Sequence, residues 1–105
     1  MDDSSQIEVP PSFLALYTAP GGRRLTQPIA AVRERYELCE DLAQMLCEQA
    51  SAAAFKSGAG EGEVLAGLQA ALSDGAGALP EGEPAWVVTR IAELLGWGLP
   101  GPAQS

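Results

Sequence analysis

The chain has 105 residues, 47% hydrophobic but only 6% aromatic, enough for one modest core built mainly from Leu, Val, Ile and Ala. Fourteen acidic residues against six basic ones, with no histidine, give a net charge of −8. That charge repels phosphate backbones and anionic lipid surfaces, so neither nucleic acid nor membrane is an expected partner.

The opening Met1-Asp2-Asp3-Ser4-Ser5 lacks the basic and apolar regions of a signal peptide. No apolar run reaches membrane-spanning length, and a cytoplasmic protein is expected. Residues 1–6 are polar and acidic and expected to fray, 7–99 to form a single helical domain, and 100–105 to be a mobile tail.

Ile7-Glu8-Val9 alternates, and Pro10-Pro11 enforces an extended backbone ahead of the first element. Pro11 or Ser12 then opens a short helix over about 11–17, with Phe13, Leu16 and Tyr17 at i, i+3 and i+4 on one side. So short a helix cannot stand alone in water. It docks either on the chain's own core, as a lid, or on a partner, as an amphipathic anchor. Thr18 to Leu25 follows as a connector, with Pro20-Gly21-Gly22 as its turn and Arg23-Arg24 exposed on it.

The longest element is a helix over about 27–56. Thr26 is its expected N-cap, Pro28 is tolerated in the first turn, and Gly58 terminates it. Ile29, Val32, Tyr36, Cys39, Ala43, Leu46, Ala50 and Ala53 recur at spacings of three and four and mark one apolar face. Leu38, Leu42 and Met45 flank that stripe and widen the apolar arc to roughly 200°, as expected of a central helix packed against at least two neighbours. The remaining arc carries Glu34, Glu37, Glu40, Asp41 and Glu48, a wet acidic side. Phe55 falls on that acidic side, so a bend or end near Ser51 to Phe55, or a contact with a later segment, is expected.

A second helix is expected over about 62–73, with Val64, Leu65, Leu68, Ala71 and Leu72 on its apolar face and acids at its N-terminal end. The last, over about 84–95, starts at Pro84 with Glu83 as a weak cap. It draws its faces from Trp86, Val87, Arg90, Ile91, Leu94 and Leu95. Gly96 and Trp97 then suit the C′ and C″ positions of a Schellman closure. The fold class is therefore all-α: a small orthogonal or up-down bundle of three main helices plus a short N-terminal one, joined by glycine-rich loops.

No motif carries chemistry. Gly58, Gly60 and Gly62 match neither phosphate-loop spacing, follow a helix instead of a strand, and sit among glutamates. Glu37, Glu40 and Asp41 share a helix face, but helical di-metal sites draw ligands from several helices and use histidine, which this chain lacks. Cys39 and Cys47 lie eight residues apart on one helix, about 12 Å along its axis and beyond disulfide reach. Free thiols without metal or redox spacing are expected. No catalytic, cofactor-binding or metal-binding residue is assigned, and enzyme activity is not expected.

Three blocks carry a resemblance: Val9-Pro10-Pro11-Ser12-Phe13; Tyr36-Glu37-Leu38-Cys39-Glu40-Asp41-Leu42-Ala43; and Ala85-Trp86-Val87-Val88 with Arg90 and Ala92-Glu93-Leu94-Leu95-Gly96-Trp97. Together they resemble a group of small bacterial proteins loosely labelled "ATPase with chaperone activity". The resemblance implies a bacterial cytoplasmic protein with a helical fold, and its label a nucleotide-dependent activity for which this sequence has no Walker motif.

The expected function is a non-enzymatic protein-interaction module, an adaptor or accessory of a larger chaperone- or protease-type assembly. Its candidate partner-binding residues are Phe13, Leu16, Tyr17, Glu37, Glu40, Asp41 and Glu48, together with any apolar strip the bundle leaves open. The alternatives are a homodimer pairing its long helix across a two-fold axis and, third, a nucleotide-dependent activity.

Overall fold

A computed structural model describes residues 8–58 and 60–97; the expected tails, 1–6 and 100–105, lie outside the described residues. The protein is a small all-α helical bundle. Its helices are α1 (Pro11–Leu14), continued by a 3-10 turn over Ala15–Tyr17, α2 (Ile29–Ser57), α3 (Glu61–Leu72) and α4 (Glu83–Leu95). Among the described residues no strand forms beyond a single antiparallel bridge between Thr18 and Leu25. The chain makes two compact units, Met1–Leu38 and Cys39–Ser105, and α2 runs through both.

In the first unit, Pro10 holds the extended backbone expected of the Pro-Pro pair, and its carbonyl accepts from the Phe13 and Leu14 amides to start α1. Phe13 is fully buried. Its ring meets Tyr17 with centroids 5.8 Å apart and Tyr36 edge-on at 5.7 Å, both within the range of favourable aromatic pairs. The connector then folds back on itself. Ala19 N donates to Arg24 O at 2.8 Å, Thr26 N to Tyr17 O at 2.7 Å, and Gly21 and Gly22 make the turn.

This ribbon corrects the expected start of α2. Thr26 is not its cap, because it stands three residues ahead of Ile29, where its amide and its hydroxyl both donate to Tyr17 O. The Pro28 carbonyl instead accepts from Ala31 and Val32, placing Pro28 at the N-cap position and the first helical residue at Ile29. At its far end α2 continues through Ser57 without ending near Ser51 to Phe55, and Gly58, at φ +72°, closes it by donating to Ala54 O.

The second unit holds the later part of α2 with α3 and α4, and α3 packs on α4. Its apolar core draws on Cys39, Ala43 and Ala50 of α2, Leu65 of α3, and Pro84, Val87, Val88, Ile91 and Ala92 of α4. Burying a side chain the size of Leu65 or Ile91 stabilises the fold by about 1.5–3 kcal/mol each. Val88 and Ala92 are buried although they lie outside the faces expected for α4, whereas Leu94, one of the expected residues, is 38% exposed. On α3 Ala71 is exposed, so the covered face there is narrower than its apolar spacing suggests. The loop after α3 is tied back by Leu79 N donating to Leu72 O at 2.9 Å.

The start of α4 also differs from expectation. Gly82, at φ +93°, takes the N-cap position, and Glu83 is the first helical residue, fully buried. An acidic residue is favoured in the first turn by the helix dipole, which offsets part of the cost of burying it. The other end follows the expected closure. Gly96 is left-handed at φ +74°, Trp97 N donates to Ala92 O at 2.8 Å, and Gly96 N to Glu93 O at 3.3 Å. Those two bonds are the Schellman pair.

Candidate interaction surface

The seven residues singled out from the sequence fall into three environments. Phe13 is fully buried, so its ring offers no surface to a partner; Leu16 and Tyr17 are half-buried. Glu37, Asp41 and Glu48 are exposed on α2, and among the described residues none of the three makes an ion pair. Glu40 stands apart from them.

Glu40 is clamped by Arg90 of α4. The guanidinium donates from Nε to Oε1 at 2.8 Å and from Nη2 to Oε2 at 3.0 Å, a side-on bidentate pair. Gln44 Nε2 adds a third bond to Oε2 at 2.7 Å, and Arg90 Nη1 also reaches Glu93 Oε1 at 3.2 Å. The hydrogen bonds from Arg90 hold the Glu40 carboxyl below the usual glutamate range, while partial burial works against that shift. Glu40 in turn raises Arg90 above its ordinary value. The carboxylate is therefore committed inside the second unit and is not a free member of the acidic stripe.

A fully buried polar contact joins the same two elements. Cys39 Sγ lies 3.4 Å from Glu83 Oε1 and donates to it, with both residues fully buried. Cys47, half-buried, has its thiol pushed up chiefly by burial. Among the described residues there is no group of three or more Cys, Asp or Glu side chains arranged to hold a metal ion, and no helix is long and apolar enough to cross a membrane.

The apolar stripe of α2 divides unequally. Val32, Cys39, Ala43 and Ala50 are buried, and Tyr36, Leu46 and Ala53 half-buried, as their spacing predicts. The flank is different. Leu42 is half-buried, but Leu38 is 45% and Met45 67% exposed, so the apolar arc is wider than the surface covering it. Ile29, at the first turn, is exposed as well. Phe55 is 89% exposed, so among the described residues neither a bend of α2 nor a later segment covers it.

The outward face of α2 within the second unit therefore reads Asp41, Met45, Glu48, Ala52, Phe55, every member exposed. Sequence periodicity missed this row because it assigned Met45 to the covered flank. Phe55 on the acidic side was the available signal. No protein-family model, curated protein or solved structure matches the chain.

Proposed function

We propose that the protein is a non-enzymatic protein-interaction module whose contact surface is the outward face of α2. The observation that carries this reading is the exposure of Met45 and Phe55 on a helix that has already buried a separate apolar stripe. Large apolar side chains left in water beside a satisfied core are what a binding face supplies to its partner.

The finer assignment, an adaptor or accessory of a chaperone- or protease-type assembly in a bacterial cytoplasm, rests on the sequence resemblance. The two free thiols support a reducing compartment. The test is affinity capture from native lysate with the intact chain, followed by direct titration of each captured protein. Repeated capture of nothing titratable would overturn the reading. Static light scattering of the purified chain separates it from the homodimer alternative, for which a doubled mass at micromolar concentration is the expected outcome.

A further inference from the structure

We propose that Asp41, Met45, Glu48, Ala52 and Phe55 form a docking track for a cationic amphipathic helix of another protein. This rests on the interaction-module reading and specifies its surface and the chemistry of its partner. The five residues stand at i, i+4, i+7, i+11 and i+14 of one unbroken helix, which places them on one face over about 21 Å. That length matches about four turns of a partner helix laid alongside.

Single exposed apolar residues are ordinary on protein surfaces. Here the two large ones, 67% and 89% exposed, alternate along the face with two carboxylates that have no ion-pair partner among the described residues. Lys56, the nearest basic residue in sequence, follows Ala52 by one turn and stands about 60° off the centre line of the row, about 12 Å along the axis from Glu48.

Charge decides which occupant fits. A second copy docked antiparallel about the middle of the row sets Glu48 against its own counterpart, between chains of net charge −8 each. Like charges so placed oppose association. The same carboxylates repel nucleic acid and anionic lipid. A helix with Lys or Arg seven residues apart places its cations beside Asp41 and Glu48, themselves about 10 Å apart along the axis. Its apolar residues then cover Met45, whose flexible thioether adapts to varied shapes, and the Phe55 ring, whose face also accepts a cation.

The experiment uses the full chain and an amidated peptide of about 18 residues, leucine and lysine in amphipathic-helix spacing, with a leucine–glutamate peptide of the same spacing as control. Binding is read by fluorescence anisotropy at low and moderate salt. The lysine peptide is expected to bind saturably and the glutamate peptide not at all. Met45→Ala with Phe55→Ala is expected to weaken binding about tenfold or more. Asp41→Asn with Glu48→Gln should weaken it several-fold and flatten its salt dependence. Glu61→Gln with Glu63→Gln, an equal charge change on exposed residues of α3, should leave it unchanged. All the substituted residues are exposed, so each variant is expected to keep the native helical circular dichroism.

Absence of peptide binding overturns the proposal, as does equal weakening by the α3 pair, which would mean unspecific charge attraction. A doubled mass in solution that Met45→Ala with Phe55→Ala abolishes also overturns it, assigning the row to a second copy. If the Met45–Phe55 variant still captures what the native chain captures, the track falls while the module reading stands. If the native chain captures nothing, both fall.

Discussion

Glu40 and Arg90 show how a residue pair on an acidic helix acquires a structural task. Each is partly shielded, the two meet through two parallel hydrogen bonds, and Gln44 takes up a further lone pair on the carboxylate. Replacing Glu40 by Gln is expected to cost about 1 kcal/mol at neutral pH, at the upper end for partly exposed pairs because the geometry is bidentate. Because Glu40 is lowered in the folded chain, its contribution is present in full above the ordinary glutamate range and is lost as pH falls through the lowered value. The stability gap between wild type and Glu40→Gln, measured by urea unfolding, should therefore narrow towards the acid end. A gap independent of pH would contradict the assignment.

The cysteines differ in the same local way. Cys39 is enclosed and donates to Glu83, whereas Cys47 is half-buried with a raised thiol. Iodoacetamide should label Cys47 slowly in the native chain, its rate still climbing above the ordinary thiol pKa of about 8.5. Cys39 should react only after unfolding. Peptide mass spectrometry over a time course reads both, and Cys39 reacting first would contradict the burial order.

At the scale of elements, helix ends are set by backbone chemistry that no packing needs to assist. Gly96 sits at φ +74° with open space where a Cβ would stand, so Gly96→Ala meets no clash and isolates the conformational cost of a left-handed residue. A loss of about 1 kcal/mol is expected, visible as a melting temperature about 5 °C lower. A neutral result would mean the Schellman closure contributes nothing to α4. The start of α2 makes the complementary point: Thr26 carries a cap's acceptor oxygen, yet its bonds to Tyr17 beside the Thr18–Leu25 bridge hold it two residues short of the N-cap position at Pro28. Capping preference yields when a neighbouring turn's hydrogen bonds hold the residue outside the cap position.

For the whole molecule, the dominant quantity is charge. With −8 over 105 residues and several α2 carboxylates unpaired among the described residues, screening relieves self-repulsion in the folded state. Moderate sodium chloride should raise the melting temperature by a few degrees despite weakening the Glu40–Arg90 pair. A fall would mean that pairs of that kind outweigh the net charge.

The all-α class, the order of the helices, the glycine stops of α2 and α4 and the buried stripe through Val32, Cys39, Ala43 and Ala50 were determined by the sequence alone. All are consequences of 3.6-residue periodicity and of local backbone conformation, which neighbouring residues encode. Covering and pairing were decided only in the tertiary structure. Arg90 meets Glu40 across 50 residues and Cys39 meets Glu83 across 44, and no local pattern signals either contact. Leu38 and Met45 share an apolar flank with Leu42, yet only Leu42 is half-buried, because coverage depends on where the shorter helices lie and not on the hydrophobicity of α2. Of the candidate surface, the sequence supplied the acids Asp41 and Glu48; that Met45 and Phe55 stand in water beside them is a property of the folded chain.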